Sequence, residues 1–291
     1  MDERDALATL AATLPAAGDD AAVIDGLAIT TDMLHERADF PDGTTRETAG
    51  WRAVGASLSD LAAMGADATC AVAVYAAPEF DEKELAAFVR GASEVCELVD
   101  AEYVGGDLDQ HTEFTTATTA VGRVEEPLRR DGAEPGDAIC VTGELGRTAA
   151  ALRRFAAGDA ESGNDLFRFT PRVAAGRALR GHASAAMDSS DGLARSLHQM
   201  ADASDCGFAI EWDRLPVHSA VDAVAESEAD RRECAAHVGE DFELVFTTPD
   251  PDAALAAVEE AGTAATVIGE VTEEGVVADG KPLPDRGYTH G

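Results

Sequence analysis

Lysine is nearly missing from this chain: Lys83 and Lys281 are the two in 291 residues, and neither is followed by Ser or Thr. That excludes a phosphate-binding loop of the GxxxxGK[ST] kind, whose lysine reaches the β- and γ-phosphates. Positive charge of any sort is scarce, with 22 basic against 56 acidic side chains and a formal net charge of −34. Such a chain repels nucleic-acid phosphates and anionic lipid. The densest basic features are the Arg-Arg pairs at 129–130, 153–154 and 231–232, so neither nucleic acid nor a membrane is an expected partner. No apolar run approaches the ~20 residues of a membrane span. The opening MDERDALATL is charged from its second residue, which speaks against a secretory leader. The five cysteines (Cys70, Cys96, Cys140, Cys206, Cys234) form no CxxC pair, which excludes a zinc ribbon and disfavours a disulfide scaffold. A reducing cytoplasm is the expected location. No GxGxxG follows a strand, the protein-kinase motif set is missing, and no GxSxG marks a hydrolase elbow.

What is present suffices for a sizeable core: 45% of residues are hydrophobic, spread along the whole chain. Acidity of this degree with arginine in place of lysine reads as a halophile's solvated surface. Strand-like and helix-like segments alternate. Residues 3–13 read as a short helix, AAVID and LAITTD as a strand pair, and 47–65 as a long alanine-rich helix. ATCAVAVYAA reads as a buried strand, DEKELAAFVRGASEVCEL as an amphipathic helix, AEYVGGD as a strand ending in a glycine turn, and EFTTATTAVGRV as a strand. EEPLRRDGAEPGD, dense in Pro, Gly and charge, is the best linker. Beyond it come AICVTG, RTAAALRRF, TPRVAAGRALR, SAAMD, LARSLHQMADAS, CGFAIEW, FELVFTT, AALAAVEEAG and TVIGEV. The expectation is an α/β protein of two α/β domains, residues 1–128 and 129–291.

Carboxylates recur at the ends of apolar strands: Asp20 in GDDAAVI, Asp32 closing LAITTD, Asp107 closing YVGGD, and Asp188 and Asp191 in AAMDSSDG. Asp60 is the most telling. It is the one charge between Ala53 and Ala66, where a 27% charged composition predicts about four. A lone carboxylate in an apolar helix is costly unless paired or bound to a cation. Oxygen-rich clusters of this kind suit Mg²⁺, and the glycines beside Asp20, Asp107 and Asp191 would let backbone approach a phosphate. On residue chemistry alone other readings stay open. An aspartate is by default a solvated surface group, Asp191 could simply cap a helix, and VTGELG could be a strand with a glycine turn.

GDDAAVI, TTDMLHE, AVGASLSDLAAMGADA, VGGD, VTGELG, DSSDGL, ASDCG and GEDFELVFT occur in the order found in the thiamine-monophosphate kinases, and they span the chain from Gly18 to the tail GYTHG. The sequence resembles that family. The resemblance implies two α/β domains of the aminoimidazole ribonucleotide synthetase-like type, with N-terminal sheets pairing in a homodimer. It also implies ATP-dependent, Mg²⁺-assisted phosphorylation of thiamine monophosphate to thiamine diphosphate, the last step in making that cofactor, with several Mg²⁺ ions. Carried over by motif, the metal ligands are Asp20, Thr30, Thr31, Asp32, Asp60, Asp107, Asp188 and Asp191. ATP contacts fall on Gly106, Asp107, Arg130 and Ser190. Substrate contacts fall on Asp39, Glu240 and Tyr288. Where relatives carry a histidine before Phe, as in EGVHF, this chain has ERADF with Asp39, so the histidine's contact is not the one this position offers. No residue is expected to act as a general base. The alternatives are a superfamily member with another substrate and a non-catalytic acidic cation-binding protein. Selenophosphate synthetase is disfavoured because no cysteine precedes Cys70.

Overall fold

The computed structural model describes residues 13–14 and 16–287. The helix expected over 3–13 and the contact expected at Tyr288 lie outside the described residues, apart from Thr13. The first half begins with the expected strand pair, β1 (Ala22–Ile24) and β2 (Leu27–His35), which the structure joins as a hairpin turned by Asp25 and Gly26 at positive φ. One helical turn, α1 (Glu36–Asp39), leads to α2 (Arg46–Ala63), whose Thr45 cap accepts the Thr48 N–H. Then follow β3 (Asp67–Ala77), α3 (Glu82–Glu97), β4 (Glu102–Gln110) and β5 (Thr115–Arg123). The sheet order is β1-β2-β5-β3-β4, with only β3 and β4 parallel.

Two expectations are corrected here. The VGGD segment is not a turn: Gly105, Gly106 and Asp107 pair with β3 inside β4, and a bulge at Val104 absorbs the irregularity. Gly106 has no room for a side chain, since a Cβ would stand 1.6 Å from the Ala73 carbonyl oxygen. Nor is β3 buried on both faces. Ala71, Ala73 and Tyr75 face the core, while Val72 and Val74 alternate outward into solvent. On that outer face Ile29, Met33, Val72 and Val74 are exposed, and no element among the described residues covers them.

The second half contains β6 (Ala138–Thr142), α4 (Arg147–Ala156), α5 (Ala160–Phe167), α6 (Val173–Leu179), β7 (Ala185–Asp188), α7 (Leu193–Ser204) and β8 (Gly207–Ile210). After these come α8 (Ser219–Asp222), α9 (Glu228–Ala236), β9 (Leu244–Thr248), α10 (Pro251–Glu260), β10 (Ala265–Thr272), β11 (Val276–Ala278) and β12 (Lys281–Pro282). Its seven-stranded sheet runs β12-β11-β8-β10-β6-β9-β7. Helices α5 and α9 and the short strands β11 and β12 have no counterpart among the elements expected from sequence.

Helix α2 joins the halves. It packs on β2, β3 and β5 on one side and on α6 and β7 on the other. Against α3 it packs backbone to backbone: a Cβ on Gly91 would stand 1.8 Å from the Glu47 carbonyl oxygen, and one on Gly50 2.2 Å from that of Phe88. Such closeness fixes where α2 lies, and α2 carries much of the site.

Candidate active site

Alternation along β2 turns Ala28, Thr30, Asp32 and Leu34 toward α2, and Ile29, Thr31 and Met33 outward. Helical spacing does the complementary work on α2, where Arg52, Ala56 and Asp60 stand at i, i+4 and i+8 on one face. Thr30 Oγ1 donates to Asp60 Oδ2 at 2.5 Å, and Ser57 Oγ donates to Asp32 Oδ2 at 2.8 Å. From the second half, Asp188 ends β7 with no exposed surface. It accepts from Ser59 Oγ at 2.6 Å and from the Ser190 amide at 3.1 Å. From the first half, Asp20 enters just before β1.

Carboxylate oxygens of Asp20, Asp60 and Asp188 lie within 4.8 Å of one another. Their proton affinities register that crowding. Burial, with the charges of Asp188 and Asp19, pushes Asp20 up to about 8 against the pull of Arg130. Burial and then Asp32, Asp188 and Asp20 hold Asp60 well above the usual carboxylate range, with the Thr30 hydroxyl opposing. Burial raises Asp188 too, opposed by Ser59 and Ser190. Among the described residues one cation reaches the group: Arg130 Nη2 donates to Asp20 Oδ1 at 3.1 Å and its Nε to Asp19 Oδ1 at 3.4 Å. Asp20 Oδ2 is buried without a hydrogen-bond partner among the described residues. Three crowded carboxylates, one with an orphaned oxygen, fit a hard divalent cation that takes oxygen ligands.

A cavity of about 450 Å³ reaches this group at Asp60, and residues 31–35, Ala56, Ser190, Asp191, Glu240 and Phe242 also line it. The structure thus brings together Asp20, Thr30, Asp32, Asp60, Arg130, Asp188, Ser190, Asp191 and Glu240. It does not bring in the Thr31 side chain, which points to the other face of the sheet and donates to the Thr118 carbonyl at 2.8 Å. Asp39 is buried in α1, accepting the His35 amide at 2.6 Å, and lines a smaller neighbouring cavity with Glu240. Gly106 and Asp107 lie apart. Asp107 sits in register with Val74, Ala117 and Met33, three strand spacings or about 14 Å from β2. There they border a second cavity of about 590 Å³, lined by Tyr75, Phe88, Val89 and Tyr103 among others.

Sequence reasoning missed Asp19, Ser57, Ser59 and, most of all, Arg52. Arg52 is 2% exposed, and its Nη2 donates to Glu240 Oε2 at 2.9 Å. The spacing of Arg52 to Asp60 was readable, but an apolar window opened at Ala53 leaves that arginine outside.

Comparison with known proteins agrees with the geometry. Residues 18–124 match the AIR synthase related protein, N-terminal domain, and residues 134–280 match its C-terminal domain. The thiamine-monophosphate kinase of Halobacterium salinarum is 58% identical over 292 aligned positions, covering all of both chains. That of Methanospirillum hungatei is 40% identical, covering 100% of this chain and 99% of its own. The solved structure of AaThiL complexed with AMPPCP and TMP superposes with a TM-score of 0.89 at 28% identity, covering 99% of this chain and 97% of that one. With both domains matched and similarity running end to end, this chain belongs to the thiamine-monophosphate kinase family of AIR synthase related proteins.

Proposed function

We propose that the protein transfers the γ-phosphoryl group of ATP to the phosphate of thiamine monophosphate, giving thiamine diphosphate and ADP. The observation that carries this is the convergence of Asp20, Asp60 and Asp188 from three separate segments, with Asp60 on the wall of a cavity. The nucleophile is a phosphate oxygen whose second pKa is about 6, so it arrives ionised and needs no base. Among the described residues, no histidine or lysine joins the three carboxylates. The obstacle is repulsion: two unit charges 4 Å apart cost about 4 kcal/mol at an effective dielectric of 20, and each phosphate carries more than one.

Asp20, Thr30, Asp32, Asp60, Asp188 and Asp191 would hold Mg²⁺. When bound, Mg²⁺ neutralises phosphate charge and keeps the two reacting groups aligned. Arg130 would exchange its contact with Asp20 for the nucleotide's phosphates, and the Ser190 loop would border them. Glu240, with Asp39 beside it and Tyr288 from the tail, would face thiamine monophosphate. The aromatic-walled cavity beside Gly106 and Asp107 has the size and lining for a nucleotide base.

The same reading makes the protein a homodimer. The exposed apolar face of the first sheet supports it, and so does the distance of Asp107 from the carboxylates it is expected to join. Asp107 would then serve the site of a second copy. We place the domain boundary at 128/129 and the protein in the cytoplasm, with no nucleic-acid or membrane partner. The deciding assay uses purified protein in high KCl with ATP, Mg²⁺ and thiamine monophosphate, reading thiamine diphosphate, with free thiamine as control. Phosphorylation of thiamine but not of its monophosphate overturns the assignment. Asp107→Asn should leave under about a tenth of the activity, a loss above ~1.4 kcal/mol.

A further inference from the structure

Two bulky residues of one short segment hold left-handed backbone: Glu240 at φ 67° and Phe242 at φ 54°. Neither side chain favours that region, so neighbouring structure has to impose it. Between them Asp241, 4% exposed, accepts from the amides of Gly146 and Thr148, the latter at 2.9 Å. Gly146 is the N-cap of α4 and has no side chain to cap with, so Asp241 caps that helix from a distant part of the chain. Glu240 is pinned separately. Its amide donates to the Ser190 carbonyl at 2.6 Å, and its carbonyl accepts from Thr148 Oγ1 at 2.8 Å and from Arg52 Nη2 at 3.1 Å. Its Oε2 takes Arg52 Nη2 at 2.9 Å, leaving Oε1 with no bond among the described residues. Arg52 is in turn fixed by the Phe167 carbonyl at 2.7 Å, with its guanidinium 3.6 Å over the Phe167 ring. Phe242 stacks on Phe169 with ring centroids 4.2 Å apart and an interplanar angle of 17°.

This is an arch with two footings, one at the helix terminus and one on a buried arginine, holding a carboxylate and an aromatic ring side by side at the cavity wall. We propose that Asp241 and Arg52 are positioning residues that preset Glu240 and Phe242 as the recognition edge for an amino-bearing aromatic ring on the phosphate acceptor. Glu240 Oε1 accepts from the ring's amino group and Phe242 lies along its face, while the nucleotide side is untouched. The inference rests on the assignment above, in which the aminopyrimidine of thiamine monophosphate is that ring.

The test measures steady-state kinetics and, without ATP, calorimetric binding of thiamine monophosphate for wild type, Asp241→Asn, Arg52→Lys, Glu240→Gln, Phe242→Leu and the Arg52→Lys/Glu240→Gln double variant. Each single change should weaken thiamine monophosphate, in KM and in Kd, about tenfold or more while the KM for ATP moves less than about twofold. The double variant should be no worse than Glu240→Gln alone, because Arg52 acts through Glu240; a merely structural arginine would give additive losses. Additive losses, or parallel rises in both KM values, overturn the arch. If Asp241→Asn does not fold, Arg52→Lys and Phe242→Leu decide. Wild type that binds thiamine monophosphate but does not phosphorylate it overturns the assigned reaction alone, and the binding series still decides the arch. Wild type that does not bind it overturns the recognition edge.

Discussion

Asp60 shows how one residue can work against stability in the service of a site. Its carboxylate shares a few ångströms with those of Asp20 and Asp188, and all three hold protons more tightly than an exposed aspartate. Asp60→Asn keeps the acceptor for the Thr30 hydroxyl and removes one of the repelling charges. At pH 8 without Mg²⁺ the variant should be more stable than wild type by about 1 kcal/mol, while turnover is lost. Denaturant unfolding and the coupled assay read the two effects, and a variant less stable than wild type contradicts the crowding. The pH dependence has a definite sign. Unfolded, these groups titrate near 3.9; folded, Asp20 titrates near 8 and the others are raised. Between about pH 4 and 8 the folded protein keeps protons that the unfolded chain has released, so their contribution to stability declines as pH rises through that window. Saturating Mg²⁺ claims the deprotonated carboxylates and should flatten the decline, as melting curves at pH 5 and 8 would show. Asp60 was visible in sequence as the one charge in an apolar stretch. Ser57 and Ser59, which donate to Asp32 and Asp188, were harder to pick out, because small hydroxyl residues in an alanine-rich helix look like filler until a carboxylate is placed against them.

Among the elements, α2 decides most. It lies between the two sheets, so a shift of its axis moves Asp60, Ser59 and Arg52 together relative to Asp188 and Glu240. Its seat against α3 depends on Gly91, whose missing side chain admits the Glu47 carbonyl. Gly91→Ala should cost about 2–3 kcal/mol through overpacking and lower the melting temperature by roughly 5 °C or more. An unchanged melting temperature would mean that the helices can part without penalty. Composition and apolar spacing made α2, α3 and α7 legible nearly to the residue, and β1 and β2 were legible as a strand pair. The reading went astray where local signals mislead. Gly105 and Gly106 have the composition of a turn, yet they stay in β4 because the parallel pairing with β3 supplies the hydrogen bonds that a turn would break. The alternation of β3 between alanine and larger apolar residues gave no polar face to reveal that one side meets solvent.

For the whole molecule, charge sets the conditions of use. At −34 the folded chain concentrates like charges that unfolding would spread apart. The Debye length falls from ~10 Å at 0.1 M salt to ~3 Å at 1 M, so molar salt leaves only near neighbours interacting. Melting temperature should rise broadly with KCl over the molar range and saturably with Mg²⁺ in the millimolar range; a flat KCl response down to 0.1 M contradicts the halophile reading. The kinship with a Halobacterium salinarum protein accords with that reading. The outward-facing Asp107, three strands from Asp32, has a consequence that a geneticist would meet first. If each site borrows Asp107 from the other copy, an Asp60→Asn allele and an Asp107→Asn allele, each null alone, should complement one another. In a mixed pair one site collects both lesions and the other collects neither. Random reassortment of equal amounts would then restore about a quarter of wild-type turnover. Two dead proteins mixed in one tube would come alive, whereas a site built from one chain would leave them dead.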